Sequence, residues 1–292
     1  MCTRHSCQSV FSFVAAAIVV VTAASCGGHS PPRNTQSDLA TFSHVDQAQA
    51  LGRGANATVA VIDWQFDPKG SAAPRYLAAA SMVPGEEMGA LKPWHGAWMV
   101  DIVHRVAPEA RIIPIIGRSL KSRGYQDELV RGIRYAAEHG AAAVSSSMGP
   151  ADQTDALRAA IDFAESRGTL FINVHPENVG VGGEKFTPCG VGVCDTRIVH
   201  AGIVSVPEHP TKPHPSRLVY TWPYDLDARF EDGWGYSNGP PVVLGVVLLV
   251  RSANPSLTPA QVRELLVRTA YEREGFKVLD AEAAVRAAIA MR

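Results

Sequence analysis

The sequence predicts an α/β domain in which helices cover both faces of a mostly parallel sheet. Short apolar runs rich in β-branched residues alternate along the chain with segments at helical spacing. These runs are apolar on both sides, as expected for parallel strands that are buried between two layers of helices. The chain has 292 residues, 46% of them hydrophobic, which is enough for one large domain with its own core.

The predicted elements follow one another in the order that such a sheet requires. Apolar runs predict strands over residues 58–62, 111–116, 141–147, 169–174 and 198–206. Helical spacing predicts helices over 98–106, 127–139, 152–166, 241–250 and 280–290. A further helix should begin at Thr258, a favourable N-cap that is followed by Pro259 at the first helical position.

The charge balance argues against a nucleic-acid partner. The chain carries 27 basic and 28 acidic residues, and its net charge is −1. This balance gives no electrostatic reason for binding nucleic acid or an acidic membrane surface. We therefore expect no nucleic acid among its partners.

The first residues resemble an export signal. An apolar run from Phe11 to Ala24 follows Arg4 and is too short for a typical membrane-spanning helix. The small residues before Cys26 resemble a lipobox, in which the cysteine becomes the lipid-bearing N-terminus. Ordinary signal cleavage and an uncleaved membrane anchor are the alternatives. We predict a lipoprotein-type signal over 1–25, a polar tether over 26–50 and a folded domain over 51–292, outside the cytoplasm.

Cysteine usage agrees with export. Of five cysteines, Cys2 and Cys7 would leave with the signal and Cys26 would carry lipid. Cys189 and Cys194 then remain, flanking a short loop that a disulfide could close in an oxidising compartment. Two free thiols are the alternative, and a zinc site built on two cysteines is not expected.

Polar residues at the ends of the predicted elements carry the chemistry. Asp63 ends the first strand, His95 precedes an apolar helix and Ser237 precedes a buried one. Functional groups in parallel sheets gather at the carboxyl ends of strands. Serine needs a histidine to take its proton and a carboxylate to orient that histidine. Asn178, just beyond the fourth predicted strand at 169–174, could supply an amide donor to an oxyanion.

These residues lie in motifs that resemble the subtilisin-like serine proteases, or subtilases, over about residues 55–290. The Asp, His, Asn and Ser motifs occur in the family's order, as do the proline and glycine that follow its serine. The matching segments read VAVIDWQ, HGAWMVDIV, HPENVG, GYSNGPPVVLG and SANPSLTPAQVRELLVRTA. Several neighbours differ from the family pattern, including Trp64 after the aspartate and Tyr236 before the serine.

The resemblance implies the family's three-layer fold and a serine endopeptidase. It implies Asp63, His95 and Ser237 as the catalytic triad, with Asn178 as an oxyanion donor. Ser147, Met148 and Gly149 resemble the stretch that lines the primary specificity pocket. The expected partner is a peptide or protein substrate. No cofactor and no metal ligands are predicted, although structural calcium is frequent in the family; the oligomeric state is not predicted.

Features of the sequence suggest two other functions. Residues 235–239 fit the G-x-S-x-G elbow of α/β-hydrolases, but that fold requires a histidine after the serine and residues 238–292 contain none. The substituted motif neighbours are compatible with an inactive subtilase fold that binds peptides. Labelling of Ser237 by a serine-hydrolase probe distinguishes that alternative from an enzyme.

Overall fold

A single sheet of nine strands organises the described part of the chain. The computed structural model describes residues 43–90, 95–119, 124–174, 193–204, 213, 219–221 and 236–292. The strands are β1 (Thr58–Asp63), β2 (Ala80–Ser81), β3 (Arg111–Ile116), β4 (Ala143–Ser146), β5 (Leu170–Val174), β6 (Val199–Ile203), β7 (Val219–Thr221), β8 (Tyr271–Arg273) and β9 (Phe276–Val278). Their order is β2-β3-β1-β4-β5-β6-β7-β9-β8, and every neighbouring pair is parallel except β8 with β9.

Helices lie on both faces of this sheet, which confirms the predicted fold class. Within the described residues they are α1 (Val45–Leu51), α2 (His95–Val106), α3 (Gln126–Glu138), α4 (Asp155–Ser166), α5 (Gly239–Ala253), α6 (Pro259–Thr269) and α7 (Ala281–Ala290). In β1, Val59 and Val61 join the core that contains α2 and α5, whereas Ala60 and Ile62 join the core beneath α3 and α4. This alternation follows from the two-residue repeat of a strand. None of these helices is both long and apolar enough to cross a membrane.

The predicted helix start at Thr258 is confirmed in detail. The Thr258 hydroxyl accepts a hydrogen bond from the backbone N–H of Gln261 at 3.2 Å. The Gln261 side chain in turn accepts one from the backbone N–H of Thr258 at 2.8 Å. This reciprocal capping box satisfies two N–H groups that the helix itself cannot pair.

Several short elements were not predicted. The strands β2, β7, β8 and β9 have only two or three residues each, too few to show a pattern. Glu274 and Gly275 connect β8 to β9 with positive φ values of 52° and 83°, as a tight hairpin requires.

Helix α1 lies in the segment predicted to be a tether. Its Val45 and Ala48 are buried and the helix packs against α7, so the ordered domain begins before residue 51. His44, just before α1, forms an ion pair at 3.0 Å with Asp280, which caps α7. The helix is short and its sequence mixes polar with apolar residues, which explains why composition alone placed it in the tether.

Close contact between α2 and α5 brings two predicted site segments to one region. A Cβ on Gly245 of α5 would lie only 2.5 Å from the Cβ of Val106 in α2, so glycine permits this approach. His95 begins α2, and Ser237 lies in the short 3-10 turn Tyr236–Asn238 that leads into α5. Helix α2 also packs against that turn.

Candidate active site

Asp63 is the buried anchor of the site. It ends β1 between β3 and β4, and it has no exposed surface. Its Oδ1 accepts hydrogen bonds from the backbone N–H of Trp64 at 2.7 Å and from His95 Nδ1 at 2.8 Å. Its Oδ2 is buried without a hydrogen-bond partner among the described residues. Burying a carboxylate is costly unless it is paired, so the contact with His95 is what makes this position tolerable.

His95 presents one ring nitrogen for chemistry. Because the Asp63 carboxylate can only accept, His95 Nδ1 must donate, and in the neutral ring Nε2 is then the acceptor. The side chain is 22% exposed, so the ring is oriented from inside and reachable from outside. The rings of Trp64 and Trp98 flank it, with centroids 5.5 Å and 6.4 Å away.

The pKa of His95 is raised above its ordinary value of 6.5. Burial, the largest influence, lowers this pKa, but the charge of Asp63 and the hydrogen bond to it together outweigh burial. The positive charge of Arg118 lowers the pKa by a smaller amount. Asp63 therefore increases the basicity of the group that is placed to accept a proton.

Gly96 allows His95 to reach Asp63. A Cβ at this position would lie 2.7 Å from the Phe66 ring and 2.9 Å from the Cβ of Asp63. Real Cβ atoms do not approach other atoms this closely, so any other residue would push the start of α2 away from β1. The His-Gly pair in the sequence is thus a geometric requirement of the hydrogen bond between Asp63 and His95.

Ser237 exchanges hydrogen bonds with Ser147. The Ser147 hydroxyl donates to the carbonyl oxygen of Ser237 at 2.8 Å, and the Ser237 hydroxyl donates to the carbonyl oxygen of Ser147 at 3.4 Å. The second distance is long for a bond between two oxygens, so the Ser237 hydroxyl is weakly held. Ser237 and His95 are not hydrogen-bonded to each other in the described structure. Rotation about the single χ1 torsion of Ser237 can redirect its hydroxyl.

The three predicted pocket residues follow β4 directly, beside Ser237. Asn173 holds this segment: its amide donates to the carbonyl oxygens of Ser146 and Gly149, each at 3.1 Å. Met148 is almost fully buried. Gly149 has φ of 144°, and a Cβ there would lie 2.5 Å from the Tyr125 hydroxyl oxygen.

Some predicted residues lie outside the described residues. These are Cys26, Asn178 and Cys189, so their roles stay predictions. Cys194 is disulfide-bonded, and the other four cysteines all lie outside the described part of the chain. Within that part, no group of three or more His, Cys, Asp or Glu side chains could hold a metal ion.

Sequence reasoning missed residues that shape the site. Asn173 is a polar residue inside the apolar run TLFINV, and that interruption was the available signal. Arg118 and Tyr125 have no such signal, because their contacts depend on how the connection between β3 and α3 folds against Trp64. The Arg118 guanidinium carbon lies 4.8 Å from the Trp64 ring centroid and 5.4 Å from that of Tyr125.

Comparisons with known proteins identify the relatives of this fold and site. No protein-family model matches the chain. Subtilisin DY from Bacillus licheniformis is 28% identical over 246 residues, which cover 77% of this chain and 88% of that protein.

Solved structures of two proteases have the same fold. A protease from Pseudoalteromonas arctica PAMC 21717 has a TM-score of 0.68 and 18% identity, over 84% of this chain and 94% of that one. MycP1 with its N-terminal propeptide removed has a TM-score of 0.69 and 21% identity, over 84% and 95% of the two chains.

The subtilisin relative and the shared fold define the class of the protein. It is a homologue of subtilisin with the fold of subtilisin-like proteases. The similarity to subtilisin supports a divergent relative of the subtilases, whose enzyme class is that of the serine-type endopeptidases.

Proposed function

We propose that the chain hydrolyses peptide bonds through an acyl-enzyme, with Ser237 as nucleophile, His95 as general base and Asp63 as the orienting carboxylate. The observation that carries the proposal is the 2.8 Å hydrogen bond between Asp63 and His95. This bond sits at the start of a helix that packs against the turn containing Ser237. A fixed tautomer, a raised basicity and a nearby serine are what nucleophilic hydrolysis requires.

In the proposed reaction, His95 accepts and returns a proton in both acylation and deacylation. As the Ser237 oxygen bonds to the peptide carbonyl carbon, its proton passes to Nε2 of His95. His95 then gives that proton to the leaving amine as the carbon–nitrogen bond breaks. Water next attacks the ester, again losing a proton to His95, and this proton returns to Ser237 as the acid product leaves.

The remaining predicted roles extend this mechanism. Asn178 and the backbone N–H of Ser237 would donate to the oxyanion, and loss of such a side-chain donor costs about 2.7–4 kcal/mol of barrier. Ser147, Met148 and Gly149 would bind substrate, which is supported by their position after β4 and their contacts with Ser237 and Tyr125. Asn173 would keep this segment in place through its two carbonyl contacts.

A fluorophosphonate probe tests the proposal directly. The probe should label the purified chain on Ser237, and Ser237→Ala should abolish both labelling and peptide cleavage. Ser252→Ala is the matched control, because Ser252 is also half-buried and its hydroxyl donates to the carbonyl oxygen of Ala55 outside the site. If the folded wild type is not labelled, or if Ser237→Ala still is, the proposed nucleophile is wrong.

We further propose that the enzyme acts outside the cytoplasm, at the cell envelope, held by lipid on Cys26. The sequence of the first 26 residues supports this location. The disulfide at Cys194 adds support, because disulfides persist in oxidising compartments and are rare in the cytosol. A peptide or protein exported to the same compartment would be the substrate.

A further inference from the structure

Arg118 lies at the carboxyl ends of the parallel strands, on the same side of the sheet as Asp63. The last residue of β3, Ile116, is in register with Asp63, and the next residue, Gly117, donates its N–H to the carbonyl oxygen of Asp63 at 2.8 Å. Arg118 follows immediately and is half-buried. Its backbone is therefore held at the same edge as the hydrogen bond between Asp63 and His95.

Two aromatic rings hold the Arg118 side chain. Its guanidinium carbon is 4.8 Å from the centroid of Trp64 and 5.4 Å from that of Tyr125. The Trp64 ring in turn lies 5.5 Å from the ring of His95. Arginine stacked on aromatic faces keeps N–H donors at the rim of its planar group, in a fixed fork that matches a carboxylate.

The Arg118 guanidinium has no acidic partner among the described residues. Other arginines there, such as Arg197 and Arg263, form ion pairs with aspartate or glutamate. Arg118 forms no ion pair and no hydrogen bond with any described residue. The nearby Glu86 carboxylate accepts from Ser119 at 2.5 Å and from Gln65 at 3.4 Å instead.

We propose that Arg118 is a specificity-determining residue that binds a carboxylate side chain of the substrate, so that the site selects an acidic residue close to the scissile bond. The inference rests on the proposed function, because it assigns the substrate class of the same site. A bidentate pair between guanidinium and carboxylate would use donors that the fold orients and that no described residue pairs. The charge of Arg118 already acts on His95, which places that charge within range of the reacting groups.

Binding to an inactive variant separates selectivity from catalysis. Fluorescent peptides that differ only by Glu or Gln, scanned through the positions around one peptide bond, would be titrated against the full chain carrying Ser237→Ala. At one position the Glu peptide should bind about tenfold or more tightly than the Gln peptide, as expected for a charge-assisted hydrogen bond. Anisotropy measures each dissociation constant, and kcat/KM of the active chain measures the same preference.

Variants of Arg118 decide whether the charge causes the preference. Arg118→Gln should bring the Glu-to-Gln ratio close to one, and Arg118→Lys should retain part of it. Arg118→Glu should invert the selectivity toward a Lys peptide, which a purely structural side chain could not do. Arg111→Gln is the matched control, because Arg111 is exposed at the opposite end of β3; it should keep the wild-type ratio.

The outcomes distinguish this inference from the proposed function. If Ser237 reacts with the probe but the chain binds the Glu and Gln peptides equally, the proposed role of Arg118 is wrong and the proposed protease function stands. A chain that resists the probe yet shows a preference dependent on Arg118 would support the acidic-peptide site and reject hydrolysis. A preference unchanged in Arg118→Gln and Arg118→Glu would also overturn it.

Discussion

At the scale of single residues, the candidate site depends on the Asp63 carboxylate, whose two oxygens differ in their hydrogen bonds. Oδ1 of Asp63 has two hydrogen bonds, whereas Oδ2 is buried without a partner among the described residues. The interaction with His95 is therefore concentrated on one atom. The hydrogen bond to Oδ1 fixes which ring nitrogen of His95 is protonated, and together with the charge of Asp63 it raises the pKa of the imidazole.

The raised pKa of His95 predicts the acid limb of the pH profile. The general base must be neutral, so kcat/KM should fall as the pH drops through a midpoint above 6.5. Asp63→Asn removes the influences that raise this pKa and leaves burial, so the midpoint should fall below 6.5. Its kcat should drop by about 10⁴-fold, because the tautomer is no longer held.

A series of pH profiles measured with a neutral substrate checks this prediction. His139→Asn is the control, since His139 is exposed at the end of α3 and stacks on Tyr135 outside the site; its profile should match the wild type. A wild-type midpoint at or below 6.5 would contradict the assignment of His95 as the base.

At the scale of elements, two glycines let the helices approach closely enough to form the site. Gly96 brings the start of α2 against β1, and Gly245 brings α5 against the end of α2. Packed helices and strands adjust little to an added methyl group, so either contact would have to open. The geometry of the candidate triad therefore depends on helix packing as well as on Asp63, His95 and Ser237.

Gly96→Ala should separate His95 from Asp63. The added methyl group would collide with the Phe66 ring and the Cβ of Asp63, so we expect a loss of about 1–3 kcal/mol in unfolding free energy. Activity should fall much more than this destabilisation explains at temperatures where the variant is folded. Denaturant unfolding and kcat, each compared with Gly52→Ala, measure the two effects; Gly52 has open space around it. Full activity in Gly96→Ala would show that the close approach is unnecessary.

Gly245→Ala and Val106→Gly should compensate for each other. The first substitution adds a methyl group where the Val106 side chain lies, at a cost of about 1–3 kcal/mol. Removing the Val106 side chain makes room for it, so the double variant should be more stable than the sum of the single effects predicts. A double-mutant cycle of unfolding free energies measures this coupling. Additive effects would mean that α2 and α5 relax independently at this contact.

Predictability from sequence also differs among elements. Long apolar runs ending in a polar residue, such as β1 with Asp63, predicted both a strand and a candidate site, because burial on two faces leaves a visible pattern. The hairpin at Glu274 and Gly275 lacks the usual Asn-Gly signal, and its strands are too short to show alternation. The contacts of Arg118 with Trp64 and Tyr125 join the connection between β3 and α3 to the residue after β1, so no local pattern encodes them.

At the scale of the whole molecule, cell location and chemistry are predicted by different parts of the chain. The first 26 residues predict export and lipid attachment, whereas the domain from α1 to α7 carries the candidate site. Sequence motifs predicted the resemblance to the subtilases and the three residues of the candidate triad. The hydrogen-bond distances of Ser237 and the stacking of Arg118 on Trp64 and Tyr125 depend on tertiary contacts, which the sequence does not show.

Cys26→Ser should release the protein from the membrane fraction. In the host, the wild-type chain should incorporate a labelled fatty acid and partition into detergent, because the lipid supplies the membrane affinity. Cys7→Ser, a change within the predicted signal, should keep both properties. Incorporation of label by Cys26→Ser, or none by the wild type, would contradict lipidation at this residue.

Helix α1 is attached to the domain at a distance from the candidate site. The Gln49 side chain donates to the carbonyl oxygens of Arg105 and Val106, at the far end of α2 from His95. Eleven helical rises separate the two ends, about 17 Å along the axis. Helix α1 is therefore attached at the end of α2 that is farthest from His95, and its attachment uses none of the residues of the candidate site.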